Sequence, residues 1–164
     1  MVWEKTISSE GAMKDWMKAA VGSGLVATIS ICASETGAQA LPPGVRVLAP
    51  ADLTWTESPR APGVQAATLV GDPNKPGPYV LRAKYPPNLV NPPHHHPLDE
   101  ELTVLSGTLY LGHGETVDPA KARALPAGSF IVEPAKTWHY LFTQSEPVEV
   151  EIRGMGPRAN IFAK

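Results

Sequence analysis

Cysteine is nearly missing from this chain: Cys32 is the one thiol among 164 residues. An intramolecular disulfide framework and any paired-cysteine metal or redox site are thereby excluded. There is no lysine- or arginine-rich run, and the formal net charge is only -2. Nucleic acid and anionic membrane surfaces are therefore not expected as partners. Internal repeats and low-complexity segments are also lacking. Helical periodicity is scarce, and the eighteen prolines and fourteen glycines cut the chain into short segments, which argues against a helical bundle. What remains, 43% hydrophobic and 18% charged residues, is the composition of one ordinary soluble domain.

The N-terminal part differs from the rest. Lys14 and Lys18 precede the mildly apolar run AAVGSGLVATISICAS, which is followed by ETGAQA ending in Ala38-Gln39-Ala40. Basic, then apolar, then small residues is the order of a secretory signal peptide. Glu4 and Glu10 fit that layout poorly, and Met17 is the better start, giving MKAAVGSGLVATISICASETGAQA as the whole leader. The run is too short and too rich in Gly, Ser and Thr to stay in a bilayer. Cys32 follows Ile31 rather than a small residue, which speaks against lipidation. Residues 1–40 are therefore expected to be a leader cleaved after Ala40, and 41–164 a periplasmic or secreted domain. The alternative is an amphipathic N-terminal helix retained on a cytoplasmic protein. After cleavage no cysteine is left, and about 124 residues suffice for one core.

Beyond residue 40 the chain alternates short strand-like runs with turn compositions, the pattern of an all-β domain. The runs are LTWTE, VQAATLVG, YVLRAKY, ELTVLSGTLYLG, SFIVEP, TWHYLFT and VEVEIRG. GDPNKPGP, PPNLVNPP, HGETVDPAKA and TQSEP separate them as turns and loops. Ser106-Gly107, between LTVL and TLYL, reads as a tight hairpin. The expected architecture is an antiparallel sandwich or small barrel.

Three of the five histidines stand together in PPHHHPLDEELTVLSG. Side chains two apart on an extended strand share a face, so His94 and His96 can aim at one point while His95 points away. A turn at Pro97 to Asp99 would return Glu100 to that point, and His139, in a second extended segment, can add another imidazole. Three imidazoles and one carboxylate suit a divalent first-row metal and leave one or two positions open. His95 and Glu101 are expected at the surface, His113 in a turn, and Tyr140 packed on the opposite face from His139. Tyr79 and Arg82 have opposite parity on the strand before the histidines, so one of them would line the pocket. Trp55 and Trp138 read as core or rim.

At these residues the chain resembles the cupin family. The family's first motif, H-x-H-x(3,4)-E-x6-G, is matched by His94, His96, Glu100 and Gly107, and its second, G-x5-P-x-G-x2-H-x3-N, by Gly128, Pro134 and His139. Lys136 stands where the second motif has its second glycine, and Thr143 where it has asparagine. The run P-P-H-x-H-P-x-D-E is similar to that of small single-domain bacterial cupins, many of which carry export signals.

The resemblance implies a single antiparallel β-barrel of jelly-roll type with one divalent transition metal (Fe, Mn, Ni, Cu or Zn) on His94, His96, Glu100 and His139. It implies a metal-dependent enzyme acting on a small oxygenated organic molecule, with a dioxygenase-type oxidoreductase favoured. A decarboxylase, isomerase or lyase is the alternative enzyme, with Glu100 a candidate base. A metal-stabilised binding module or metal sensor is the alternative outside catalysis. A homodimer through a sheet edge is compatible with the resemblance.

Overall fold

Alternate positions of the segment Gly77–Tyr85 are buried: Tyr79, Leu81, Ala83 and Tyr85 turn inward, while Arg82 and Lys84 lie between them on the other face. This period of two is what a strand with one face on a core produces. The same rule repeats along the computed structural model, which describes residues 40–164. Nearly all of the expected leader, residues 1–39, lies outside the described residues.

Among the described residues eleven strands are formed: β1 (Thr56–Glu57), β2 (Gln65–Val70), β3 (Gly77–Tyr85), β4 (Val90–His95), β5 (Glu100–Ser106), β6 (Thr108–His113), β7 (Arg123–Pro126), β8 (Phe130–Glu133), β9 (His139–Phe142), β10 (Val148–Gly156) and β11 (Ile161–Phe162). Two short 3-10 turns, Pro50–Asp52 and Pro119–Lys121, accompany them. All strands belong to the unit Pro43–Lys164. They form a six-stranded sheet in the order β1-β2-β3-β10-β5-β8 and a five-stranded sheet in the order β11-β4-β9-β6-β7. Every pairing is antiparallel. The all-β jelly-roll expectation holds. The two ladders stay separate and do not close into one hydrogen-bonded barrel.

Between the sheets lies the core. Tyr79, Leu81, Leu102, Val104, Val150 and Ile152 enter it from the larger sheet, and Leu109, Leu111 and Leu141 from the smaller. Outside, Arg82 on β3 faces Glu151 on β10 in register and pairs with it at 3.3 Å and with Glu149 at 3.7 Å. Arg82 thus belongs to the outer face.

Ser106-Gly107 does not make a hairpin. β5 and β6 lie in different sheets, and Gly107, at φ 72°, turns the chain from one to the other beside Pro147. Glycine adopts that φ without strain. β4 begins within PPNLVNPP, which reads as a loop, and β7 and β11 form in stretches to which the sequence assigned no strand. In β4 the pairing with β9 shifts between Asn91 and His94, where Pro92 and Pro93 have no N–H to give. β4–β5 and β8–β9 also change sheets, so the histidine strands and the Glu100 strand meet where the two layers join.

Candidate metal centre

β4 and β9 are neighbours in the smaller sheet, and His94 lies directly opposite His139 in their register. His96 follows two residues after His94 and turns the same way. All three are buried, with 1%, 5% and 4% exposure for His94, His96 and His139. Their ring centroids are 4.5 Å (His94 to His139), 5.0 Å (His94 to His96) and 5.1 Å (His96 to His139) apart. One ring nitrogen of each lies within 4.8 Å of the others.

Backbone carbonyls decide which nitrogen. His94 Nδ1 donates to Pro92 O at 2.7 Å, His96 Nδ1 to Ala159 O at 2.8 Å, and His139 Nδ1 to Thr137 O at 3.0 Å. A carbonyl only accepts, so each Nδ1 carries the proton and each Nε2 keeps its lone pair. This arrangement fixes the tautomer and ring orientation of metal-ligating histidines. Burial pushes the His94 ring down to about 3 and the His96 ring down to about 4, so both are neutral at physiological pH. Three imidazoles with converging Nε2 lone pairs fit a divalent first-row metal.

Glu100 opens β5 and is 2% exposed. Its Oε2 lies 3.0 Å from His96 Nε2. Although this distance has the geometry of an ion pair, the neutral His96 ring presents a lone pair to the carboxylate, so a cation between them would relieve the contact. The carboxylate is held from other sides. Tyr79 donates its hydroxyl to Oε1 at 2.8 Å, Arg158 Nε bonds Oε1, and Arg158 Nη2 bonds Oε2 at 3.1 Å. Burial favours the neutral acid, but the charge of Arg158, with the hydrogen bonds from Arg158 and Tyr79, holds the carboxyl below the usual carboxylate range. Desolvation, reinforced by Glu100, raises the Tyr79 phenol above its ordinary value, so its proton stays in place.

The remaining histidines and aromatics are distributed as follows. His95 is half-buried rather than exposed, because its ring meets Trp138 edge-on at 4.5 Å. Glu101 turns outward to Arg153 at 2.7 Å. His113 is paired across the sheet with His139, and its Nε2 donates to Glu133 at 3.0 Å. Glu133 is 3% exposed and its Oε2 is 3.8 Å from His139 Nδ1, so an acid stands behind the third imidazole. Tyr140 is buried over Gly112 and donates to Asp118 O at 2.6 Å, a packing role. Trp55 lies under the Lys84 ammonium at 3.8 Å, away from the histidines.

Both departures from the second motif keep its geometry. Lys136 adopts φ 63° and its N–H donates to His96 O at 2.8 Å, so the left-handed turn forms without glycine. Thr143 is buried; its hydroxyl donates to Pro86 O at 2.6 Å and accepts from Leu89 N at 3.0 Å, tying down the β3–β4 loop.

Arg158, Glu133 and the positioning role of Tyr79 went unassigned in the sequence reading. Parity offered Tyr79 as one of two choices. Glu133 directly precedes Pro134 of the second motif, the one signal that marked it; Arg158 follows β10 in no motif.

The histidines, Glu100 and Glu133 surround an inner cavity of about 20 Å3, room for roughly one water-sized body. Tyr85, Asn91, Ile152 and Arg158 line this cavity and also an outer pocket of about 160 Å3. The outer pocket is bounded by residues of the β1–β2 segment, Asn74 and Asn160.

Comparison with known proteins adds to this geometry. The family described as the ChrR cupin-like domain matches residues 44–157. A germin-like protein 9-3 of Oryza sativa subsp. japonica is 33% identical over 76 residues, covering 46% of this chain and 36% of that protein. The chain thus spans about a third of its rice relatives' length. Among solved structures, the polyketide cyclase RemF of Streptomyces resistomycificus aligns with TM-score 0.58 and 20% identity, covering 73% of this chain and 87% of that one. A Ralstonia eutropha protein with a cupin-like fold aligns with TM-score 0.50 and 27% identity, covering 62% and 60%.

Proposed function

The chain belongs to the ChrR cupin-like domain family, and from that premise we propose that it is an exported metal-dependent enzyme acting on a small oxygenated organic molecule, with dioxygenase-type oxidation favoured. The observation that carries the reading is the set of three buried imidazoles, each with Nδ1 tied to a carbonyl, converging beside Glu100. His94, His96 and His139 would hold the ion, and Glu100 stands next to it. Such an ion supplies Lewis acidity, and with a redox-active metal also electron transfer to dioxygen. Arg158 keeps Glu100 ionised and the Tyr79 hydroxyl orients it, so its negative charge stands ready beside a cation held by the histidines. Solved proteins of the same fold include a polyketide cyclase and a DMSP lyase. The fold therefore does not choose among oxidation, decarboxylation, isomerisation and elimination.

One observation favours a second reading. The inner cavity is small, as in a module where the metal only stabilises the barrel. Purification without a histidine tag under anaerobic conditions, followed by elemental analysis, separates the two. The enzyme reading expects about one redox-active metal per chain and oxygen uptake with some member of a catechol, flavonol, diketone and small-acid panel. Inert zinc with no exchangeable water would favour the structural reading. His96→Ala and His139→Ala should each lose stoichiometric metal; full metal content in both would remove the centre. Export rests on the leader composition, and N-terminal sequencing of the secreted form should find Leu41 first.

A further inference from the structure

Arg158 forms part of the wall between the inner cavity and the outer pocket. On the inner side its Nε and Nη2 are engaged by Glu100, and Nη1 donates to Asn160 Oδ1 at 3.2 Å. A second guanidinium, Arg60, lines the outer pocket. Its Nε donates to Arg158 O at 3.2 Å and its Nη2 to Asn74 Oδ1. Both partners are neutral. A guanidinium has five N–H donors; two of those of Arg60 are used, which leaves three, among them both on Nη1.

Burial, and next the like charge of Arg158, lower the pKa of Arg60, against smaller opposing effects of Tyr79, Glu100 and Asp72. The remaining charged lining residue is Glu57, an exposed carboxylate whose Oε1 accepts from Gly63 N at 3.3 Å. The pocket therefore presents two cations, of which one has its carboxylate on the far side of the wall. Ser58, Asn74 and Asn160 add neutral polar groups. A volume of about 160 Å3 lies below the range of drug-sized pockets, roughly 300 Å3 and up, so the occupant is small.

We infer that the outer pocket binds a small organic carboxylate, with Arg60 taking its charge and Arg158 closing the site toward the histidines. Guanidinium forks match carboxylate geometry, and the free Nη1 supplies the donors. This deepens the metal-enzyme reading by naming a substrate class and rests on it only for the catalytic use of the ligand. The pocket itself stands on Arg60.

Isothermal titration of the metal-loaded protein with benzoate, and with benzamide as its uncharged counterpart, tests the site. Benzoate should bind saturably and benzamide about tenfold more weakly, the worth of a charge-assisted hydrogen bond. Arg60→Gln should lose benzoate affinity by about tenfold with its metal content unchanged. Asn74→Asp, which sets a carboxylate against Arg60, should lose affinity likewise and serves if Arg60→Gln does not fold. Equal binding of both ligands, or benzoate affinity untouched by the Arg60 and Asn74 changes but abolished by His139→Ala, would place the ligand elsewhere and overturn the inference. Arg60-dependent benzoate binding by a protein that carries no metal would instead overturn the enzyme reading and keep the pocket.

Discussion

Arg158 grips the Glu100 carboxylate with two nitrogens, Nε on Oε1 and Nη2 on Oε2, so the acid beside the three imidazoles is already matched by a buried cation. Both side chains are shielded, at 11% and 2% exposure. Breaking one side of such a pair leaves an uncompensated charge and costs about 3–5 kcal/mol. Arg158→Leu should therefore lower the unfolding free energy of the metal-free protein by about that amount in urea titration. Adding Glu100→Gln should restore much of it, because no charge is then stranded. An Arg158→Leu protein as stable as the parent would show that the pair contributes nothing net.

Lys136 occupies a conformation meant for glycine. At φ 63° an L side chain carries a penalty of about 1–2 kcal/mol, yet the turn persists because its N–H bonds His96 O. Lys136→Gly relieves that strain, offset in part by the greater freedom glycine gives the unfolded chain. The expected net gain is about 1 kcal/mol, read as a raised denaturation midpoint with metal content unaltered. A lowered midpoint would mean that the lysine side chain contributes more than its backbone costs.

Thr143 replaces the asparagine of the motif by a different route to the same end. Its hydroxyl satisfies both Pro86 O and Leu89 N within a buried site. Thr143→Val keeps the shape and removes both bonds, which should cost about 2 kcal/mol. Thr143→Asn, whose amide has both a donor and an acceptor, should lose less. Thermal melting of the two variants provides the comparison, and equal losses would deny the hydroxyl its bridging role.

The difference between what was legible and what was not follows from range. His94 and His96 could be read as partners because a period of two is local; the same rule gave β3 its alternation but not its phase, and burial of Tyr79 rather than Arg82 decides between the two. Ser106-Gly107 misled because a short polar link between two alternating runs looks the same whether the strands pair or pass into facing sheets; burial of Leu102, Val104, Leu109 and Leu111 in a common core decides it. β4 hid behind Pro92 and Pro93, which deny it ladder bonds. Arg158 was invisible for a stronger reason: it reaches Glu100 across 58 positions of sequence, and that contact exists only once β10 has paired with both β3 and β5.

Acid should unfold the metal-free protein earlier than its carboxylates alone would require. His94 and His96 are buried neutral, with folded values of about 3 and about 4 against an ordinary 6.5. Below pH 6.5 the unfolded chain takes up protons that the folded one refuses, so stability falls as pH falls. The loss begins near the ordinary value and levels off only near the folded ones. At pH 5 each ring contributes a penalty on the order of 2 kcal/mol. Lowered Glu100 adds to it further down, since its carboxylate is paired with Arg158 in the folded state. Urea midpoints at pH 7, 6 and 5 should therefore drop progressively. A bound divalent ion, which requires the same neutral rings, should steepen the drop as it is released. Midpoints that stay level from pH 7 to 5 would mean that the two imidazoles are not held neutral in the interior, and the centre would lose its ready-made donors.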